Sequence, residues 1–216
     1  MLSIIQAAGW PIWPLIACSV LALALVVERA LTLRRSRVAP AALLDEAITV
    51  SRHGLPSAEV TAQLARNSAL GEVLAAGLRT AQANPRYSEE DLRSAVESAG
   101  RQAAHQLERY LTALGTIASA APLLGLLGTV VGMIEIFGSQ APTAGGGVSG
   151  NPAQLAHGIS VALYNTAFGL IVAIPALIFW RYFRSRVDAY LLAMELASER
   201  FVRHLLSLRK PGAPAP

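Results

Sequence analysis

The chain holds 216 residues, of which 53% are hydrophobic and only 15% charged, with a mean hydropathy of +0.44. That balance excludes an ordinary soluble domain and points to a membrane protein. A sequence pI near 9.7 would suit a nucleic-acid binder, but all 18 Lys and Arg fall in two blocks, 29–109 and 181–210, which argues for membrane topology and attraction to anionic lipid headgroups, with no nucleic-acid partner.

Three uncharged apolar stretches, 7–27, 111–134 and 159–180, are each long enough to cross a bilayer. The positive-inside rule then places both basic blocks in the cytoplasm, and the N-terminus and the 138–158 loop outside. The expected fold is an all-α membrane protein with three transmembrane helices, two of which continue as long helices into a cytoplasmic helical bundle. The expected division is an external N-terminus and first transmembrane helix at 1–28, a cytoplasmic helical region at 29–110 and the second transmembrane helix at 111–137. The external loop follows at 138–158, the third transmembrane helix at 159–180, and a cytoplasmic C-terminal helix and tail at 181–216.

In the first segment, Trp10 and Trp13 suit the membrane interface, and Pro11 and Pro14 suit a helix start. The positive charges Arg29, Arg34, Arg35 and Arg37 follow the apolar run rather than lead it, so the helix is expected to stay uncleaved. Cys18 inside it reads as a small packing residue. Glu28 and Arg29 read as a solvated boundary pair.

Between 38 and 85 the helical pattern breaks at 54–56 and at 84–85, so short packed helices are expected, with Leu64, Leu70, Val73, Leu74 and Leu78 on one buried face. His53 reads as a surface residue. Ser88-Glu-Glu-Asp91 is a capping-box signature. No helix breaker follows until Pro122, so one helix of roughly 70 Å is expected from 88 to 134 at 1.5 Å per residue.

The second span carries Gly125, Gly128 and Gly132 around Thr129, and Gly128-x-x-x-Gly132 lets another helix approach closely. Pro122 is expected to bend this span. The loop after it is rich in Gly, Ser and Pro and carries no charge. Glu135 and His157 flank it and could form a proton entrance. In the third span, Gly158, Ala162, Thr166, Gly169, Ala173 and Ala176 recur on one face, with Leu163, Leu170, Ile174 and Ile178 opposite and Pro175 inside the helix. Beyond it, Val187, Tyr190, Leu191, Met194, Leu196, Phe201 and Leu205 mark an apolar face expected to pack on the helix that starts at Ser88.

No hydrolase, metalloprotease, phosphate-loop or dithiol motif is present, and 4 scattered histidines make no metal site. The chain therefore does not read as an enzyme, and no metal or cofactor is expected. Thr112, Thr116, Ser119 and Thr129 share a broad sector of the second span. With Thr166, and with Asn165 beside it as a secondary candidate, they read either as packing hydroxyls bonded to their own helices or as the lining of a hydrated passage. No Asp, Glu, Lys, Arg or His lies near the middle of any span. A proton relay through the membrane normally needs one, so the titrating carboxylate would have to come from a partner.

The stretches APLLGLLGTVVGMIEIF (121–137) and GISVALYNTAFGLIVAIPALIFW (158–180) together resemble the paired signature of the MotA/TolQ/ExbB proton-channel family. Three spans with a large cytoplasmic portion after the first are similar to ExbB and TolQ, whereas MotA has four, and Glu28-Arg29 also fits. The resemblance implies a multi-pass protein of the bacterial inner membrane, N-terminus periplasmic and C-terminus cytoplasmic, assembled as a homo-oligomeric ring, a pentamer in ExbB-like complexes. The ring would enclose single-span partners of the ExbD or TolR type, whose membrane Asp would titrate against hydroxyls matching Thr129 and Thr166. Proton flow would then drive a TonB- or TolA-like protein. Some members carry a Glu five residues before the third-span Thr, where this chain has Val161, which favours the partner Asp. ExbB-like coupling to TonB-dependent transport is the leading reading. A TolQ-like envelope-maintenance subunit and a non-conducting membrane scaffold are the alternatives.

Overall fold

The computed structural model describes residues 9–52, 54–84, 86–138 and 152–208. Expectations for His53, for the loop 139–151 and for the Pro-rich tail lie outside the described residues. Within them the regular structure is helical: α1 (Ile12–Thr32), α2 (Arg35–Val38), α3 (Leu43–Ser51), α4 (Ala58–Asn67), α5 (Ala69–Ala83), α6 (Glu89–Glu108), α7 (Leu111–Gly138) and α8 (Pro152–Leu208). Two compact units form. One comprises the chain up to Glu28 with Tyr110–Tyr182, the other Arg29–Arg109 with the chain from Phe183.

The first unit holds the apolar parts of α1, α7 and α8, and three helices of the chain are long and apolar enough to cross a membrane. Its core is thin: Leu15, Ala121, Val172 and Ala173 are buried, with Cys18, Ile117, Leu124 and Phe168 packed against them. Between 17% and 35% of each most apolar window is buried, so the remainder presents side chains that lipid or another chain must cover. Leu123, Val130, Ile134, Leu163, Ile171, Ile174 and Ile178 are among these exposed residues. Both α7 and α8 run on through their internal prolines, Pro122 and Pro175.

The second unit shows why its helices start where they do. Ser57 and Ser68 stand at the N-caps of α4 and α5 and accept hydrogen bonds from the amides of Val60 and Gly71. Ser88 and Asp91 form the full capping box of α6, each side chain accepting from the other's backbone amide. Hydrogen bonding from the Ser88 backbone first, and then the Ser88 side chain, holds the Asp91 carboxyl below its ordinary range. The core joins Leu70, Val73, Leu74 and Leu78 of α5, Leu92, Val96, Ala103 and Leu107 of α6, and Val187, Tyr190, Met194, Phe201 and Leu205 of α8. Gly77 makes the approach close: a Cβ there would meet Val96 at 3.2 Å and Leu205 at 3.6 Å.

The helix expected from 88 to 134 runs from Glu89 to Gly138, with two turn residues, Arg109 and Tyr110, inside it, and Arg109 keeps right-handed helical dihedrals. Two expectations change. Arg29 is not a solvated boundary charge. It is 2% exposed, and its Nη1 donates to the carbonyl of Leu107 at 2.9 Å, in the last turn of α6, where carbonyls lack intrahelical partners. Leu196 is exposed, because the buried stripe of α8 runs through Met194, Ala197 and Phe201, and two residues past Met194 lies the far side of a helix.

Polar bonds tie the C-terminal part of α8 to the rest of this unit. The Tyr190 hydroxyl donates to the Leu33 carbonyl at 3.0 Å, and Tyr87 donates to the Leu205 carbonyl at 2.9 Å. Ser51 gives its proton to the Ala47 carbonyl at 2.6 Å, so its oxygen accepts from Nε2 of His204 at 3.0 Å. Burial first, and then the nearby Arg52 charge, push the His204 pKa below its ordinary value. A histidine whose folded pKa is depressed contributes stability that is complete above its unfolded pKa and is lost as pH falls toward the folded one. Lowering pH from about 7.5 to about 5 should therefore reduce the thermal midpoint in detergent, and His204→Gln should flatten that part of the profile. An unchanged slope in the variant would assign the dependence to other groups.

Candidate functional site

The contact between α7 and the first half of α8 is built almost entirely from residues with little or no side chain. On α8, Ala162, Asn165, Gly169, Ala173 and Ala176 are buried, while Leu163, Leu170, Ile174 and Ile178 face outward. The opposing face of α7 carries Gly125, Gly128 and Gly132. A Cβ on Gly125 would stand 2.7 Å from the Asn165 carbonyl oxygen and 3.0 Å from the Thr166 Cα. One on Gly169 would stand 2.6 Å from the Ala121 carbonyl oxygen and 3.1 Å from the Gly125 Cα. Real Cβ atoms do not approach that closely, so the two backbones touch only because the side chains are missing. Gly132 faces Ala162 less tightly, at 3.2 Å.

The hydroxyls divide into two kinds. Thr116 donates to the Thr112 carbonyl at 2.9 Å, Ser119 to the carbonyls of Gly115 and Thr116, and Thr129 to the Leu126 carbonyl at 2.6 Å. Each is bonded to its own helix, the ordinary habit of such residues in apolar helices. Thr112 is exposed. Thr166 differs: its Oγ1 is buried and makes no hydrogen bond among the described residues, although its backbone lies against Gly125. No hydrogen bond joins Thr166 to Thr129.

Asn165 is 1% exposed, inside the helix contact, with its side chain filling the space beside Gly128. At 100° per residue, 165 and 166 lie at similar angles on either side of the stripe through 162, 169, 173 and 176, so spacing alone does not choose between them. A second contact that spacing alone did not reveal is Gly115, where a Cβ would meet the Trp180 indole Nε1 at 2.8 Å. Pro122 is half-buried and Pro175 exposed; Glu135 is exposed at the end of α7. The side chains of His157 and Val161 lie outside the described residues. Among the described residues no group of three His, Cys, Asp or Glu could hold a metal.

Comparison with known proteins agrees with this arrangement. The family model described as "MotA/TolQ/ExbB proton channel family" matches residues 65–196, which include all of α7 and the membrane part of α8. The putative biopolymer transport protein ExbB-like 3 of Synechocystis sp. is 34% identical over 182 residues, 83% of this chain and 83% of that protein. ExbB-like 1 of the same organism is 35% identical over 173 residues, 80% of this chain and 66% of its own length. The biopolymer transport protein exbB1 of Vibrio cholerae is 34% identical over 173 residues, 79% and 73% of the two chains.

The glycine contact yields a direct test. Gly125→Ala should force the helices apart, because backbone atoms cannot yield to the new methyl, at a cost of about 1–3 kcal/mol. Gly100→Ala, where a Cβ would meet nothing within 4 Å, is the control and should be neutral or slightly stabilising. Thermal unfolding of both in the same detergent reads the difference.

Proposed function

The chain belongs to the MotA/TolQ/ExbB proton channel family, and from that premise we propose that it is an ExbB-like channel subunit coupling the proton-motive force to TonB-dependent transport across the outer membrane. The observation that carries the reading is the buried Thr166 hydroxyl of the third span, which makes no hydrogen bond among the described residues, while Thr116, Ser119 and Thr129 of the second span are bonded to their own helix. A hydroxyl that can both donate and accept is suited to handle a proton beside a carboxylate. The spans hold no carboxylate near their middle, so the titrating acid is assigned to a single-span partner of the ExbD or TolR type, bearing an Asp in its span.

In this reading several copies of the chain, five on the ExbB pattern, form a ring around the partner helices. The apolar faces of α1, α7 and α8 meet lipid, neighbouring copies and the partner. The glycine contact joins the second and third spans inside each protomer. Thr166 and Thr129 meet the partner's Asp, and Thr112, Thr116 and Ser119 offer further polar surface along the second span. The basic residues of 29–109 and 181–210 support an orientation with these segments in the cytoplasm and the N-terminus in the periplasm of a bacterial inner membrane. The names of the relatives favour the ExbB-like over the TolQ-like reading.

Substitution of the hydroxyls tests the assignment. Thr166→Val removes the oxygen with little change of volume, and should leave assembly intact while abolishing energy-dependent uptake; Thr129→Val should impair the same activity. Thr166→Ser, which keeps the hydroxyl, should retain it. Uptake at the unsubstituted level in both valine variants would refute the role and favour a non-conducting scaffold.

A further inference from the structure

We infer that Asn165 is a positioning residue, a buried carboxamide keyed into the notch at Gly128 that fixes the rotation of the third span on the second and thereby the place of the Thr166 hydroxyl. The inference rests on the reading of Thr166 given above and names the residue that sets its geometry.

Asn165 is a buried polar side chain in the stretch of the interface where Ala162, Gly169 and Ala173 face Gly125, Gly128 and Gly132. A carboxamide buried in an apolar span is costly unless its polar atoms find partners. Space filling alone would be served better by an apolar residue. The geometry supplies a different reason. A Cβ on Gly128 would stand 2.7, 2.8 and 2.9 Å from the Cβ, Cγ and Nδ2 of Asn165, so the side chain occupies the space that the glycine leaves.

Gly and Ala faces alone specify register poorly. Their ridges repeat every three to four residues and present similar shallow surfaces at each step. The neighbouring notches do not offer Asn165 the same seat. Gly132 is taken by Ala162, whose Cβ would lie 3.2 Å from a Cβ there, and Gly125 lies against the Asn165 and Thr166 backbone. One bulky polar group against one slot breaks the degeneracy, as a single buried Asn fixes the register of a coiled coil. Thr166 is the next residue along the helix, so any rotation that removes Asn165 from its slot carries Thr166 round by the same angle.

The test reads position independently of transport. In a Cys18→Ala background, Thr166→Cys provides a thiol whose labelling by a small membrane-permeant thiol reagent reports its exposure. Adding Asn165→Ala, which removes the key without creating a clash, should change the labelling rate about tenfold or more as the helix samples other rotations. A second combination, Gly128→Ala with Asn165→Gly, returns volume to the slot from the other helix without setting two Cβ atoms 2.7 Å apart. It should melt like the parent yet show the same altered labelling, and with Thr166 restored it should have lost uptake. Labelling within twofold of the parent in both folded variants would overturn the inference. Altered labelling with uptake intact would uphold the positioning role while refuting the reading of Thr166 itself.

Discussion

Everything in the membrane part of this protein depends on the absence of side chains where the second span meets the third. Apolar burial gives helices in lipid little reason to associate, because the surrounding chains are as apolar as leucine. Close backbone approach supplies the missing attraction through dispersion over many atoms. Gly125 and Gly169 carry that approach, each leaving no room for a methyl beside the opposing backbone. Outward from the contact the same helices present Leu163, Leu170, Ile174 and Ile178. The protomer thus has a small-residue interior and a large-residue exterior, the inverse of a soluble core.

Against that background the polar groups can be weighed. Hydroxyls that return their proton to their own helix cost little and say little about function. Thr166 does not, and a neighbouring carboxamide accompanies it into the interior. A membrane span with polar atoms but no charge cannot by itself cycle a proton between water phases. The proposed function therefore divides the chemistry between two chains, with a hydroxyl-bearing helix pair here and an ionisable group on a partner.

Much of this was legible in the sequence because period and sterics determine it locally. The three apolar runs, the Ser88–Asp91 capping box and the outward stripe from Leu163 to Ile178 each follow from spacing alone. What escaped depends on contacts between segments distant in the chain. Nothing near Arg29 announces that its guanidinium will be buried against the Leu107 carbonyl, 78 residues away. The two turn residues inside the long helix, Arg109 and Tyr110, are neither Gly nor Pro, so no local breaker marks them. Asn165 and Thr166 both lie near the middle of the small-residue stripe, and only the seating against Gly128 decides which turns inward.

The division of the proton path between two chains is the central claim, and purification of the tagged protein from its native membrane in mild detergent tests it most directly. The account predicts that mass spectrometry of the complex finds a single-span protein with an Asp within its span, held by several copies of this chain. A homo-oligomer recovered alone under several mild detergents, with no such partner, would contradict the account and leave the chain a structural membrane scaffold.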